Sequence, residues 1–182
     1  MNRFVIADPE KCIGCRTCEI ACVLAHPVEG YSGLDLPPGQ FKPRLKLVKT
    51  RTTTTPVQCR QCENAPCVNV CPTEALVYGR EMVQFLVEHC IGCQSCVIAC
   101  PFGAMEMVEM QVRQQNWGPL HVKSTVSVEQ KCELCVDVPT GQACVNVCPT
   151  KALYLVDAQG VNSNIEKKRS RSAGTMPTDR SR

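Results

Sequence analysis

The chain has 182 residues, enough for one or two small domains. Aromatic residues make up 4%, and the 44% hydrophobic share counts 16 Cys, so the apolar core is thin and bound metal is expected to substitute for it. The formal charge of +3 is too small to argue for nucleic acid, and metal held by thiolates would reverse its sign.

Residues 3–8, with Phe4-Val5-Ile6-Ala7 at their centre, read as a strand. The run is too short for a secretory leader, and no apolar stretch approaches about 20 residues. A reducing cytoplasm is therefore expected, where thiols hold metal rather than form disulfides. The first cysteine group follows: Cys12, Cys15, Cys18 and Cys22, spaced C-x2-C-x2-C-x3-C. This is the run that holds 4Fe-4S clusters, except that Val23 stands where proline usually follows the fourth Cys. Thr17 to Ala25 suits a short helix. Residues 26–43, rich in Pro and Gly, read as a loop. Leu45 to Val48 alternates like an exposed strand, and threonines 52–55 fit an extended edge.

The second group is Cys59, Cys62, Cys67 and Cys71, followed by Pro72. A helical turn over Thr73–Leu76 and a β-hairpin through Val77-Tyr78 and Met82–Phe85 lead to the third group, Cys90, Cys93, Cys96 and Cys100, followed by Pro101. Ala104 to Val108 reads as a closing strand. Residues 109–129, with Trp117 and Gly118-Pro119, read as a second long connector. The fourth group is Cys132, Cys135, Cys144 and Cys148, followed by Pro149 and a strand over Ala152–Val156. From residue 161 the chain is polar and basic, including Lys167-Lys168-Arg169, and disorder is expected to the end.

The groups are alternating copies. Glu10-Lys11-Cys12-Ile13-Gly14-Cys15 matches Glu88-His89-Cys90-Ile91-Gly92-Cys93. Residues 67–76 and 144–153 differ only at Glu74 and Lys151. In two-cluster ferredoxins, three ligands come from one group and the fourth from its partner. Groups two and three are joined by only residues 72–89, so they are expected to be partners, leaving one and four to pair through their flanking strands.

The expected ligand sets are Cys12, Cys15, Cys18 with Cys148; Cys132, Cys135, Cys144 with Cys22; Cys59, Cys62, Cys67 with Cys100; and Cys90, Cys93, Cys96 with Cys71. The expected fold is α+β. It has an outer ferredoxin-like domain, residues 1–55 and 109–160, into which an inner one, 56–108, is inserted, and a disordered basic tail, 161–182. Four 4Fe-4S clusters at about −2 each would bring the net charge to about −5. Zinc is the rival metal. Groups two and four resemble paired zinc knuckles, but three thiols at successive three-residue steps in groups one and three crowd a single tetrahedral ion.

Among other residues, His26, His89 and His121 are scattered, and a surface or packing role is the plainer reading for His89 beside its ligand. Arg16, Arg60 and Lys131 lie next to ligands, where each is either a solvated charge or a means of raising a cluster's potential. Met105, Met107 and Met110 read as packing. There is no nucleophile–base pair, phosphate loop or dinucleotide fingerprint, so no substrate chemistry is expected of the chain alone.

The sixteen positions and the opening Met1-Asn2-Arg3-Phe4-Val5-Ile6-Ala7-Asp8 make residues 1–157 similar to the four-cluster iron–sulfur subunits of molybdopterin oxidoreductases. The nearest resemblance is to the electron-transport proteins of formate dehydrogenase and hydrogenase systems. It implies crossed ligation, single-electron relay, a molybdopterin catalytic subunit (formate dehydrogenase) as donor and hydrogenase subunits as acceptor, with no nucleic acid. Membrane-bound relatives add a C-terminal span that this sequence lacks. Two other functions fit the same residues: a factor delivering clusters during maturation, and a stand-alone soluble polyferredoxin. The connectors 23–58 and 101–131 are the expected docking surfaces.

Overall fold

The structure is a computed structural model that describes residues 1–27, 39, 41–113 and 123–174. The fold is α+β, with four two-stranded antiparallel sheets joined by short helices. Strand β1 (Phe4–Ala7) opens the chain and helix α1 (Thr17–Ala25) carries the second half of the first cysteine group, as its sequence predicts. β2 (Leu45–Lys49) and β3 (Thr54–Gln58) form a hairpin closed by the Thr50 N–H donating to Thr53 O at 2.8 Å. α2 (Pro66–Asn69) begins on a proline, whose missing N–H costs nothing at a first turn. β4 (Leu76–Tyr78) and β5 (Val83–Phe85) make the expected second hairpin. α3 (Ser95–Ala99) leads to β6 (Glu106–Arg113) and β7 (Lys123–Gln130). α4 (Ala143–Asn146), β8 (Leu153–Val156) and α5 (Ala158–Gly174) complete the chain.

Three expectations are corrected. Much of the second connector is structured: β6 and β7 pair in register from Glu106↔Gln130 to Arg113↔Lys123. The β-branched residues of Thr125-Val126-Ser127-Val128 carry that strand signal. Trp117 and His121 lie outside the described residues, as do most of the loop at 26–43 and the end of the tail, 175–182. The tail is helical over α5, not disordered. Asp157 starts it: its Oδ1 accepts from the Gly160 N–H at 2.7 Å, and its carbonyl from the Val161 N–H at 3.0 Å. Finally, Thr73-Glu74 is a turn with Glu74 at φ 54°, not a turn of helix, and Lys151 repeats that conformation at φ 51°.

The chain closes on itself. β1 and β8 pair from Phe4↔Val156 to Ala7↔Leu153, placing the first and fourth cysteine groups side by side. α1 packs on α4, and α2 on α3. One core gathers Val5, Cys18, Cys22, Leu45, Leu134, Cys144 and Leu153. The other gathers Ala65, Cys67, Leu76, Val83 and Met105, so Met105 is packing as expected. Cysteine supplies three of the seven buried residues in the first core, where an ordinary domain would place larger aliphatic groups.

The cysteine loops depend on left-handed backbone. Gly14 (φ 71°) and Arg16 (φ 61°) repeat as Gly92 (φ 69°) and Gln94 (φ 65°). A Cβ at Gly92 would stand 2.8 Å from the backbone oxygen of Ser127, which cannot swing aside. Gly92→Ala is therefore expected to destabilise the loaded chain by about 2–3 kcal/mol, strain and contact together. Gly103→Ala, at φ 58° with nothing within 4 Å, is expected to cost only about 1 kcal/mol. Denaturant titration of both variants measures the difference.

Candidate metal centres

Cys12, Cys15, Cys18 and Cys148 line one recess, with Gly14 and Pro149 on its wall. Cys90, Cys93, Cys96 and Cys71 line a second recess, with Gly92 and Glu129. Each recess joins three thiols of one group to one thiol of another. Of the other eight, Cys22, Cys132 and Cys144 stand in or against the first core, and Cys62, Cys67 and Cys100 in or against the second. Cys59 and Cys135 are buried.

The donor set suits iron and sulfide. All sixteen thiols are unpaired, so none is spent on a disulfide. Each recess gathers three thiols from one loop and a fourth from a distant one, and soft thiolates favour iron–sulfur clusters among the candidates.

The environment of each thiol is graded. Burial pushes Cys67 and Cys132 up to about 12, and Cys18 and Cys96 up to about 11. Such thiols give up their protons when metal takes their place. The exposed Cys15 is held low by the Thr17 hydroxyl, which donates to its sulfur at 3.3 Å. Cys93 Sγ donates to Ser95 Oγ at 3.5 Å, and the contact with Ser95 lowers that thiol. Against the cost of burial, backbone N–H groups and the Thr73 and Thr150 hydroxyls hold Cys71 and Cys148 low. Sequence reasoning missed these hydroxyls. Their signal was a Ser or Thr two residues after a ligand, at the same place in both repeats.

His26 is not a scattered histidine. Its Nδ1 is 2.7 Å from Cys22 O, and its Nε2 is 2.5 Å from Glu133 Oε1. Glu133 also pairs with Arg44, whose backbone N–H donates to Cys22 Sγ at 3.3 Å. Although burial works against a charged ring, contacts with Cys135, Cys22 and Glu133 hold His26 protonated, up to about 12. His89 is exposed, in agreement with its plainer reading, and His121 lies outside the described residues. Of the three flanking cations, Arg16 is solvated, with 70% of its side chain exposed. Arg60 lies 5.9 Å over the Phe102 ring. Lys131 is buried.

A family model described as a 4Fe-4S dicluster domain matches residues 11–75 and again 89–152. A second, the LdpA Fe-S cluster-binding domain, matches residues 55–111. The chain is 45% identical to the electron transport protein HydN of Escherichia coli (strain K12), over 95% of this chain and 98% of that one. It is 38% identical to an iron-sulfur protein of Rhodospirillum rubrum, over 93% of this chain and 90% of that one. It is 35% identical to hydrogenase-4 component A of E. coli (strain K12), over 92% of this chain and 89% of that one.

Proposed function

Because the chain belongs to the 4Fe-4S dicluster family, and its sixteen cysteines imply four 4Fe-4S clusters, we propose how an electron-transport protein of this kind is wired. Bound clusters supply one-electron chemistry. The ligand sets we assign are the four crossed ones: Cys12, Cys15, Cys18, Cys148; Cys132, Cys135, Cys144, Cys22; Cys59, Cys62, Cys67, Cys100; and Cys90, Cys93, Cys96, Cys71.

The observation that carries the reading is the order in which those sets touch. Cys18 and Cys148 of the first share one core with Cys22, Cys132 and Cys144 of the second. Gln61, between Cys59 and Cys62 of the third, donates its Nε2 to Cys132 O of the second at 2.7 Å. The third and fourth share one core through Cys67, Cys71, Cys96 and Cys100. The outer pair of motifs and the inner pair thus form two domains in series, the inner one inserted in the outer one. The end sets each hold an exposed thiol, Cys15 and Cys93. Beside each lies an exposed isoleucine, Ile13 at 67% and Ile91 at 65%, suited to a partner's approach. In the middle, Cys59, Cys67, Cys135 and Cys144 are buried and shielded from water.

The partners we assign are a formate-oxidising molybdopterin subunit as donor and a hydrogenase as acceptor. The resemblance to formate dehydrogenase and hydrogenase systems and the kinship to hydrogenase-4 component A support them. No described helix is long and apolar enough to cross a membrane, and the free thiols favour the cytoplasm. Delivery of clusters to another enzyme would need labile sites, and five buried central ligands, Cys22 among them, favour retention instead.

Formate together with a molybdopterin formate dehydrogenase is expected to bleach the visible absorption of the anaerobically purified chain and to give reduced-cluster EPR signals. No reduction by formate with the clusters intact would remove the donor assignment. Loss of iron to an apo-acceptor would favour delivery.

A further inference from the structure

We propose that Lys131 is a positioning residue for the two central centres, its buried, unpaired ammonium raising their reduction potentials above those of the two outer centres. The inference rests on the ligand sets and order assigned above.

Lys131 is 4% exposed. Its Nζ donates to Val83 O at 2.5 Å and to Cys132 O at 3.3 Å, and among the described residues it forms no ion pair. Glu129, two residues earlier, turns to the recess of Cys71, Cys90, Cys93 and Cys96, and neither of its carboxylate oxygens has a hydrogen-bond partner. A buried ammonium with carbonyl partners alone is costly, and a nearby anion is needed to offset it.

The anions within its reach are thiolates and the Glu129 carboxyl, which its charge favours in the ionised form. The Lys131 charge acts on Cys59 and Cys67 of one central set, and its backbone leads directly into Cys132 of the other. Gln61, 1% exposed, braces the same junction: its Nε2 donates to Cys132 O at 2.7 Å, and its Oε1 accepts from the Val83 N–H at 2.9 Å. Lys131 and Gln61 therefore tie the inner hairpin to the outer ligand loop, with one fixed positive charge between the two central sets. Each added electron makes a thiolate-bound cluster more negative, so a fixed buried cation favours the reduced state. The outer sets have no such neighbour: Arg16 is solvated and screened, and Glu129 is a carboxyl.

The test uses the full chain, anaerobically loaded, with EPR-monitored redox titration. Cys12→Ala and Cys90→Ala, which each remove an outer centre, assign the signals. Lys131→Gln keeps hydrogen-bond donors but not the charge. It is expected to lower the reduced-to-oxidised ratio of the two central centres about tenfold at fixed potential, about 59 mV for one electron, with the outer two unmoved. Lys131→Arg is expected to restore it. Selective loss of only the central iron in the Gln variant, retained with Arg, would also support the charge. Unchanged potentials, an equal shift in all four, loss of all iron or failure of Arg to restore would overturn the proposal. Failure of the ligand reading is separate: it would appear as swapped iron counts in the Cys12/Cys148 and Cys132/Cys148 double variants, which leave Lys131 in place.

Discussion

Replacing Cys12 and Cys148 together is expected to leave about 12 irons per chain, whereas replacing Cys132 and Cys148 together is expected to leave about 8. Crossed ligation puts Cys12 and Cys148 on the same centre, so the second loss adds nothing to the first. It puts Cys132 and Cys148 on different centres, so their losses add. Ligation by each sequence group separately gives the opposite pair of numbers. The comparison is a double-mutant cycle read in iron, and it does not depend on which single substitution is worse tolerated. The physical basis is the recess shared by Cys12, Cys15, Cys18 and Cys148, which the pairing of β1 with β8 assembles from residues more than a hundred positions apart. Anaerobic iron and sulfide analysis of the two double variants, with alanine at each site, decides it.

Stripping the iron is expected to unfold residues 1–156 as a whole. The apolar side chains of the two cores are few, and cysteines stand within both of them or pack against them. Without metal, buried thiols such as Cys67 and Cys144 would lose the group they pack around. An ordinary domain has about 5–15 kcal/mol of stability, and structural metal alone is worth that much in small metal-bound folds. Chelation under air is therefore expected to abolish the thermal transition and expose the β4–β5 hairpin to protease. A stripped chain that kept a cooperative transition would show that apolar packing suffices.

Much of the candidate site was legible without coordinates. Sixteen cysteines in four spaced groups give their chemistry directly, because ligand spacing within one loop is a local property. The alternating repeat was legible too, as were helix Thr17–Ala25 and the hairpin before residue 86, where apolar alternation and turn residues agree. The start of β6 was legible as the strand expected over Ala104–Val108, but its continuation and β7 were hidden by a polar sequence with Gly and Pro between them, and α5 by a composition that suits solvent and helix equally. The family match pairs groups one with two and three with four along the chain, whereas the packing joins α1 with α4 and α2 with α3.

By itself, then, the sequence determined what kind of group the chain binds and which thiols are the candidates to hold it, since both follow from side-chain chemistry and short-range spacing. Only the tertiary structure decided which thiols stand together, that His26, Arg44 and Glu133 surround Cys22, and that Lys131 is buried at the junction rather than solvated. Those features depend on strand register and burial between distant segments, which no local pattern of residues encodes.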